Sequence, residues 1–358
     1  MIPAIILFGI LILTHELGHY LAARWAGITV LEFSIGMGPT LYAWESGGTR
    51  YSLRLLPIGG FVKMEGEDPD PQQESSVPTW YEPQTDAMAP ADKPERSTKR
   101  FNEVPIGRRA IVLAAGAIMN LLCALIAMVV LVASDGVIAS TTVDAYREEN
   151  ISAAYGLLPG DTIVKVNGRR IHISSDLVYT LLDAGEEPVE LTVRRGGQTV
   201  LLQGVLFPTD SGQQLPDFYC TRAPFNPLTI VREAFFRCTT IMREVYGAFA
   251  GMLTGKVSVD DLSGPVGTTQ VISQAAGMGL WQLTYLAIFI SINLGIFNLL
   301  PFPALDGGRL LFLLIEKLRG KPIRPEIEGM LNLAGFALLM LLVVVVTFKD
   351  VAKLFGGG

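Results

Sequence analysis

A chain of 358 residues, half of them hydrophobic and 17% charged, with a mean hydropathy of +0.40, is too apolar for an ordinary soluble protein and too long for one domain. Its net charge of −6 is modest and not gathered in tails, which excludes nucleic acid as a partner. Three cysteines make no disulfide framework.

The first predicted element is an apolar helix over residues 2–22, carrying Thr14-His15-Glu16-Leu17-Gly18-His19-Tyr20 near its far end. Residues four apart share a helical face, so His15 and His19 can grip a single ion together. Glu16 is placed to take a proton from an attacking water rather than to bind the metal. An ionisable group at membrane depth costs roughly 2.5–3.5 kcal/mol, and zinc coordination is the expected offset. The chain has only three histidines, and two of them stand here. The helix does not read as a cleaved signal peptide: no Lys or Arg precedes it, and His15 and Glu16 interrupt its core. Three more stretches near the ~20 residues a bilayer needs lie at 110–133, 279–300 and 330–348.

Residues 23–109 form the first connection. Leu41-Tyr42-Ala43-Trp44, a Gly47-Gly48 turn, residues 51–56, a second turn at Pro57-Ile58-Gly59-Gly60 and residues 61–64 predict a small antiparallel sheet. It is apolar enough to dip into the membrane, where cover from protein or a cavity must satisfy its backbone. Its edge can serve as a structural clip or as a binding site for an extended peptide. Residues 65–100, rich in Pro, Glu, Asp, Gln and Ser, predict a largely disordered cytosolic loop. Arg24, Arg50, Arg54, Lys63, Arg108 and Arg109 crowd this connection, and Arg309, Lys317, Arg319, Lys321 and Arg324 the one between the last two spans. Both are therefore expected to face the cytosol, with both termini outside.

The second span, 110–133, holds Asn120, a buried amide of the kind that fixes helix packing. Residues 139–207 are soluble in character, and their strand, short helix, Gly-Pro-Gly turn and strand ending at Asn167-Gly168 resemble a PDZ domain. His172 is expected on its surface. A helix over 225–253 follows, capped by Asn226 with Pro227 at its first position. Its stripe of Leu228, Val231, Phe235, Cys238, Met242, Val245, Phe249 and Met252 belongs on a membrane surface or against other helices. Cys220 and Cys238 lie outside the cytosol on this topology, as a bridge or as two free thiols.

The third span ends in Asn298-Leu299-Leu300-Pro301-Phe302-Pro303-Ala304-Leu305-Asp306-Gly307-Gly308. Two prolines break the helix and glycines allow a sharp turn, so Asp306 is expected on irregular backbone lining a cavity. At ~1.5 Å per residue, His15 lies about 20 Å from the outer surface. Asp306 follows where the third span reaches the same cytosol-facing depth. Two histidines and one carboxylate with an open fourth position make a catalytic zinc site.

With these residues in hand, the sequence resembles the site-2 proteases, intramembrane zinc metalloproteases, in the bacterial branch typified by the regulator of sigma-E protease. The resemblance covers almost the whole chain apart from 65–100. It rests on His15-Glu16-Leu17-Gly18-His19, residues 54–64, the PDZ-like module, Ser263-Gly264-Pro265-Val266-Gly267 and Asn298 through Gly308. It implies Zn2+ bound by His15, His19 and Asp306, with Glu16 as the base. It also implies a hairpin around Leu55, Leu56, Gly59 and Gly60 that presents substrate as an added strand, and Asn293, Asn298, Pro301 and Pro303 lining the substrate path. The expected architecture is a polytopic α-helical membrane protein of four transmembrane helices, with a membrane-associated β-hairpin and an inserted β-rich PDZ-like domain. The expected setting is the bacterial inner membrane. There the lipid bilayer and a single-span substrate, such as an anti-sigma factor or a signal-peptide remnant, would be its partners. An upstream site-1-type protease would cut first, outside. Two features depart from the family: Gly116-Ala117-Ile118-Met119-Asn120 lacks the proline of the family's second-span motif, and there is one PDZ-like module where some relatives have two.

Overall fold

The computed structural model describes residues 2–67, 99–148, 150–255 and 263–355, in two compact units. The first is Met1–Cys123 with Ser258–Gly358, the second Ala124–Val257. The loop expected at 65–100 falls, over 68–98, outside the described residues.

Among the described residues, four helices are long and apolar enough to cross a membrane: α1 (Ile2–Ala26), α2 (Ile106–Asp135), α6 (Leu280–Leu299) and α8 (Pro325–Phe355). α1, α2 and α8 run a few residues past their expected apolar stretches, whereas α6 falls just inside its own, between Gly279 at φ 124° and the extended Leu300 before Pro301. Among them stand two shorter helices, α5 (Pro265–Met278) and α7 (Asp306–Arg319). The Gly264-Pro265-Val266-Gly267 motif starts α5, and Asp350 of α8 accepts the Gly267 N–H at 2.7 Å. A Cβ at Gly264 would stand 2.8 Å from that same carboxylate oxygen, so the glycine is what lets one helix cap another. Helix α7 is clamped to α2 by the two-pronged Arg109–Glu316 pair, at 3.2 and 2.6 Å, and Arg309 pairs with Glu67.

β1 (Val30–Ser46) and β2 (Thr49–Met64) join at Gly47-Gly48. They pair from Ser46↔Thr49 to Thr40↔Arg54, then both fold back. Residues 32–35 also take residues 50–53 as partners in a series that climbs in parallel. Residues 30–35 take 60–64 in the antiparallel sense. Two strands thus make four ribbons, in the order 40–46, 49–54, 30–35, 60–64. β2 is continuous as a strand, yet 50–53 run parallel and 60–64 antiparallel to the same residues 32–35, so it reverses within 54–60, at the expected second turn, with Gly59 at φ 89°. β1 reverses as well, where Gly36 takes φ 88° and a Cβ would meet the Leu56 carbonyl oxygen at 2.5 Å.

In the second unit, β3 (Ala139–Tyr146), β4 (Thr162–Val166), β5 (Arg169–Arg170), β6 (Val189–Arg195) and β7 (Gln198–Val205) belong to one sheet with β10 (Phe218–Arg222). The order is β10-β3-β4-β6-β7, with β5 on β4; β8 (Thr209–Asp210) and β9 (Gln213–Gln214) pair apart. With α3 (Ser174–Asp183) it encloses a core of Val143, Leu157, Ile163, Leu181, Val193 and Phe218. The sheet therefore runs past the expected end at 207. Its ends meet: the Ala223 N–H bonds the Ile138 carbonyl at 2.8 Å. Asp161, wholly buried, takes both prongs of Arg195 at 2.7 Å and the Leu158 N–H at 2.9 Å. Burial pushes the Asp161 carboxyl up, but these bonds outweigh it and hold the group below the usual 3.8.

Helix α4 (Pro227–Leu253) starts as read, with Asn226 accepting the Thr229 N–H. The expected stripe divides, however. Cys238 and Val245 are buried with Ala234 and Ile241, whereas Leu228, Val231 and Phe235 are exposed. His172 is not a plain surface histidine, since its ring stacks on Phe236 at 4.2 Å and its Nδ1 lies 3.4 Å from Asp176. Cys220 and Cys238 are free thiols.

Candidate metal centre

His15 and His19 stand one turn apart on α1, and the two rings meet edge to face with centroids 4.8 Å apart. The His19 ring is buried and its Nδ1 lies 2.8 Å from the Val112 carbonyl of α2. A carbonyl only accepts, so Nδ1 carries the proton and Nε2 keeps its lone pair. His15 Nδ1 faces the carboxamide of Asn120 at 3.4 Å, and the Asn120 Oδ1 is a buried acceptor without a partner. An amide's O and N are told apart by their partners, and oxygen toward His15 satisfies both groups. His15 then holds the same tautomer as His19.

The space for two rings comes from α2. A Cβ at Gly116 would stand 2.4 Å from His19 Nε2 and 2.7 Å from His15, and one at Gly18 would stand 2.3 Å from the Ala115 carbonyl oxygen. The helices cross on these glycines, the small-residue contact that lets backbones approach.

Asp306 is not on irregular backbone: it is the first residue of α7. The loop before it doubles back so tightly that a Cβ at Gly307 would stand 2.1 Å from the Leu300 carbonyl oxygen and one at Gly308 2.3 Å from that of Phe302. The fold brings Asp306 Oδ2 to 3.1 Å from His15 Nε2 and 3.3 Å from His19 Nε2, and the two nitrogens are 3.2 Å apart. Asp306 Oδ2 is buried and takes no hydrogen bond.

A family model described as peptidase family M50 matches residues 3–342. The chain belongs to peptidase family M50. It is similar to the regulator of sigma-W protease RasP of Bacillus subtilis (strain 168), 32% identical over 415 residues that cover 99% of this chain and 98% of that one. The zinc metalloprotease RasP of Bacillus licheniformis is 33% identical over 414 residues, 99% of each chain. That of Shouchella clausii is 31% identical over 418 residues, 98% of each. The M50 or site-2 proteases are membrane-embedded and zinc-dependent, and this M50 peptidase is a zinc metalloprotease.

The residues fit that metal. Zinc bonded at about 2.0–2.1 Å spaces tetrahedral nitrogen and oxygen donors about 3.3 Å apart, close to the spacings of His15, His19 and Asp306. These three are the one cluster of metal-ligating groups among the described residues. Three lone pairs aimed at one point repel each other unless a cation lies among them.

The other expected site residues are placed unevenly. Glu16 is half-buried, and a Cβ at Gly60 would stand 3.1 Å from its Cγ, so the 60–64 ribbon begins beside it. Leu55 and Leu56 are exposed on β2, and Gly59 takes φ 89°. Asn293 gives its amide to the Phe289 carbonyl of its own helix at 2.8 Å. Asn298 and Pro303 are half-buried and Pro301 is exposed. Sequence reading missed the Val112 carbonyl and gave Asn120 only a packing role. Asn120 was legible as the one strongly polar residue of its span, whereas a backbone carbonyl leaves no mark in sequence.

Proposed function

We propose that this protein cuts the transmembrane segments of single-span membrane proteins, with zinc held by His15, His19 and Asp306. The observation that carries this reading is the convergence of three donor atoms from opposite ends of the chain. Two are on α1, which is long and apolar enough to span a bilayer, and one is at the start of α7, which six residues separate from another such helix, α6. When bound, zinc supplies Lewis-acid chemistry, acidifying water and polarising a peptide carbonyl. Glu16 takes the proton of the attacking water and returns it to the leaving nitrogen. Asn120 and the Val112 carbonyl keep both histidines in the tautomer that turns Nε2 to the site.

A peptide bond in a transmembrane helix must leave its helical hydrogen bonds before it can be attacked. Among the described residues, the 60–64 ribbon has a partner on one side only, residues 30–35, and it starts against Glu16. Substrate pairs there as an added strand, with Leu55, Leu56, Gly59 and Gly60 at the approach. Asn293, Asn298, Pro301 and Pro303 line its path. The active site lies toward the cytosol and both termini outside, as the basic loops require. The PDZ-like module is the substrate filter. The Bacillus subtilis relative is named a regulator of sigma-W protease, which supports a substrate linked to a sigma factor. Our reading is an anti-sigma factor first cut outside by a site-1-type protease, and a signal-peptide remnant offers the same single span.

The test is cleavage of a membrane-embedded single-span reporter by wild type and Glu16→Gln in parallel. Cleavage by wild type alone supports the reading. Equal cleavage by both removes Glu16 as the base, and a reporter cut only in its soluble flanks overturns the intramembrane substrate.

A further inference from the structure

The six residues that link α6 to the metal-site carboxylate are Leu300-Pro301-Phe302-Pro303-Ala304-Leu305. Two are prolines, so the link has four N–H groups. Three are satisfied at home: Leu300 bonds the Phe297 carbonyl at 3.1 Å, Phe302 that of Leu300 at 2.7 Å and Leu305 that of Phe302 at 3.2 Å. The fourth belongs to Ala304, and its acceptor comes from another helix: Asn332 Oδ1 of α8, at 3.1 Å.

Ala304 also stands at φ 75°, in the left-handed region that a residue with a Cβ avoids. A strained backbone two residues before Asp306 persists only where its surroundings hold it. Three positions along α8 from Asn332 is Gly335, on the same face of the helix. A Cβ at Gly335 would stand 2.5 Å from the Pro303 carbonyl oxygen and 2.7 Å from Pro303 Cβ. One face of α8 therefore receives the link, with a small residue for close approach and a polar one for the unpartnered N–H. The neighbouring α8 residues Leu333 and Phe336 are exposed apolar side chains, so Asn332 stands out against its own helix.

We propose that Asn332 is a positioning residue for the metal site. Its oxygen holds Ala304 in the left-handed conformation, and that conformation aims Asp306 at His15 and His19. This rests on the reading of Asp306 as a ligand. The idea separates assembly of the site into three parts: α1 brings the histidines, α2 sets their tautomers, and α8 sets the place of the carboxylate.

The test measures zinc affinity by chelator competition on the purified full-length protein, beside the thermal stability of the metal-free form. Asn332→Ala should weaken zinc binding on the order of tenfold, as loss of a residue that orients a ligand does. Asn332→Asp keeps an acceptor oxygen and should bind zinc as wild type does. The discriminating variant is Asn332→Ala with Ala304→Gly. Glycine takes positive φ without help, so it should restore zinc affinity although the hydrogen bond stays absent. Wild-type zinc affinity in Asn332→Ala overturns the proposal. So does an affinity loss that Ala304→Gly leaves untouched, since that would mark general damage to α8. Asp306→Ala runs in parallel. If it loses zinc while Asn332→Ala keeps it, the positioning role alone fails. If it keeps zinc, the ligand reading fails first.

Discussion

A carboxylate oxygen and two imidazole nitrogens held 3.1–3.3 Å apart match the donor spacing of a tetrahedral zinc site. We therefore expect about one zinc per purified chain, depleted by His15→Ala or Asp306→Ala and retained by Glu16→Gln. Metal analysis checks the first part. Cleavage assays should show Glu16→Gln slower by about 10²–10⁴, the usual worth of a positioned acid–base group. Full metal retention by Asp306→Ala would remove Asp306 from the set. Gly116 gives a sharper check, because it is not itself a ligand. Alanine in place of a helical glycine normally stabilises by about 1 kcal/mol. Here the added methyl would stand 2.4 Å from His19 Nε2, and overpacking of that kind costs about 1–3 kcal/mol. The clash should win, so Gly116→Ala should lose zinc and thermal stability together. A stabilised, zinc-loaded variant would show that the helices can part without harm.

Among the elements, β2 invites the most direct experiment, since proline removes a donor without adding charge. Residues 50–53 are flanked on both sides, by 42–45 and by 32–35, so proline at Ser52 or Leu53 should disrupt the sheet and lower expression. Residues 60–64 are flanked on one side only among the described residues. Along a strand, successive N–H groups point to opposite sides. A proline scan from Phe61 to Met64 should therefore alternate. At inward positions both zinc content and cleavage fall; at outward ones cleavage falls while zinc stays. Uniform tolerance, or uniform unfolding, would make β2 a structural clip and place the grip on substrate elsewhere.

Taken whole, the molecule carries a β-rich module whose ends are one hydrogen bond apart, Ala223 to Ile138. Such an insert can be excised and the chain rejoined. Because β10 completes the sheet, the cut should remove 139–222; stopping at 207 would strand β10. We expect the excised protein to keep its zinc and cleave a minimal reporter while losing discrimination among full-length substrates. Complete loss of cleavage in a stable excised protein would make the module part of the catalytic machinery. The module should also be acid-labile. The Asp161 carboxyl titrates below 3.8 in the fold, so its contribution is present above that pH and drains away as pH falls toward its lowered value. Hydrogen exchange in β4 and β6 should quicken over that window. In Asp161→Asn this added acid sensitivity should vanish, from a baseline already less protected.

Sequence alone determined what depends on near neighbours. Apolar runs of some twenty residues can only be helices in lipid, and a four-residue histidine spacing fixes one helical face. Asn226 and Pro227 likewise start α4 by local chemistry. Tertiary structure decided what depends on close approach between distant segments. Residues 57–60 carry turn chemistry and β2 does reverse there, but that its two halves lie on either side of 30–35 in a four-ribbon sheet is set by the fold of β1. The stripe of α4 splits because only the α-helical face toward Ala234 and Ile241 finds cover. The lengths of the apolar runs predict Asp306 level with the histidines, but the contact itself needs Gly307 and Gly308 to fold the chain back on Leu300 and Phe302. The tautomers of His15 and His19 need an amide and a carbonyl from α2. No local periodicity encodes those meetings; they follow from helices that pack at glycines.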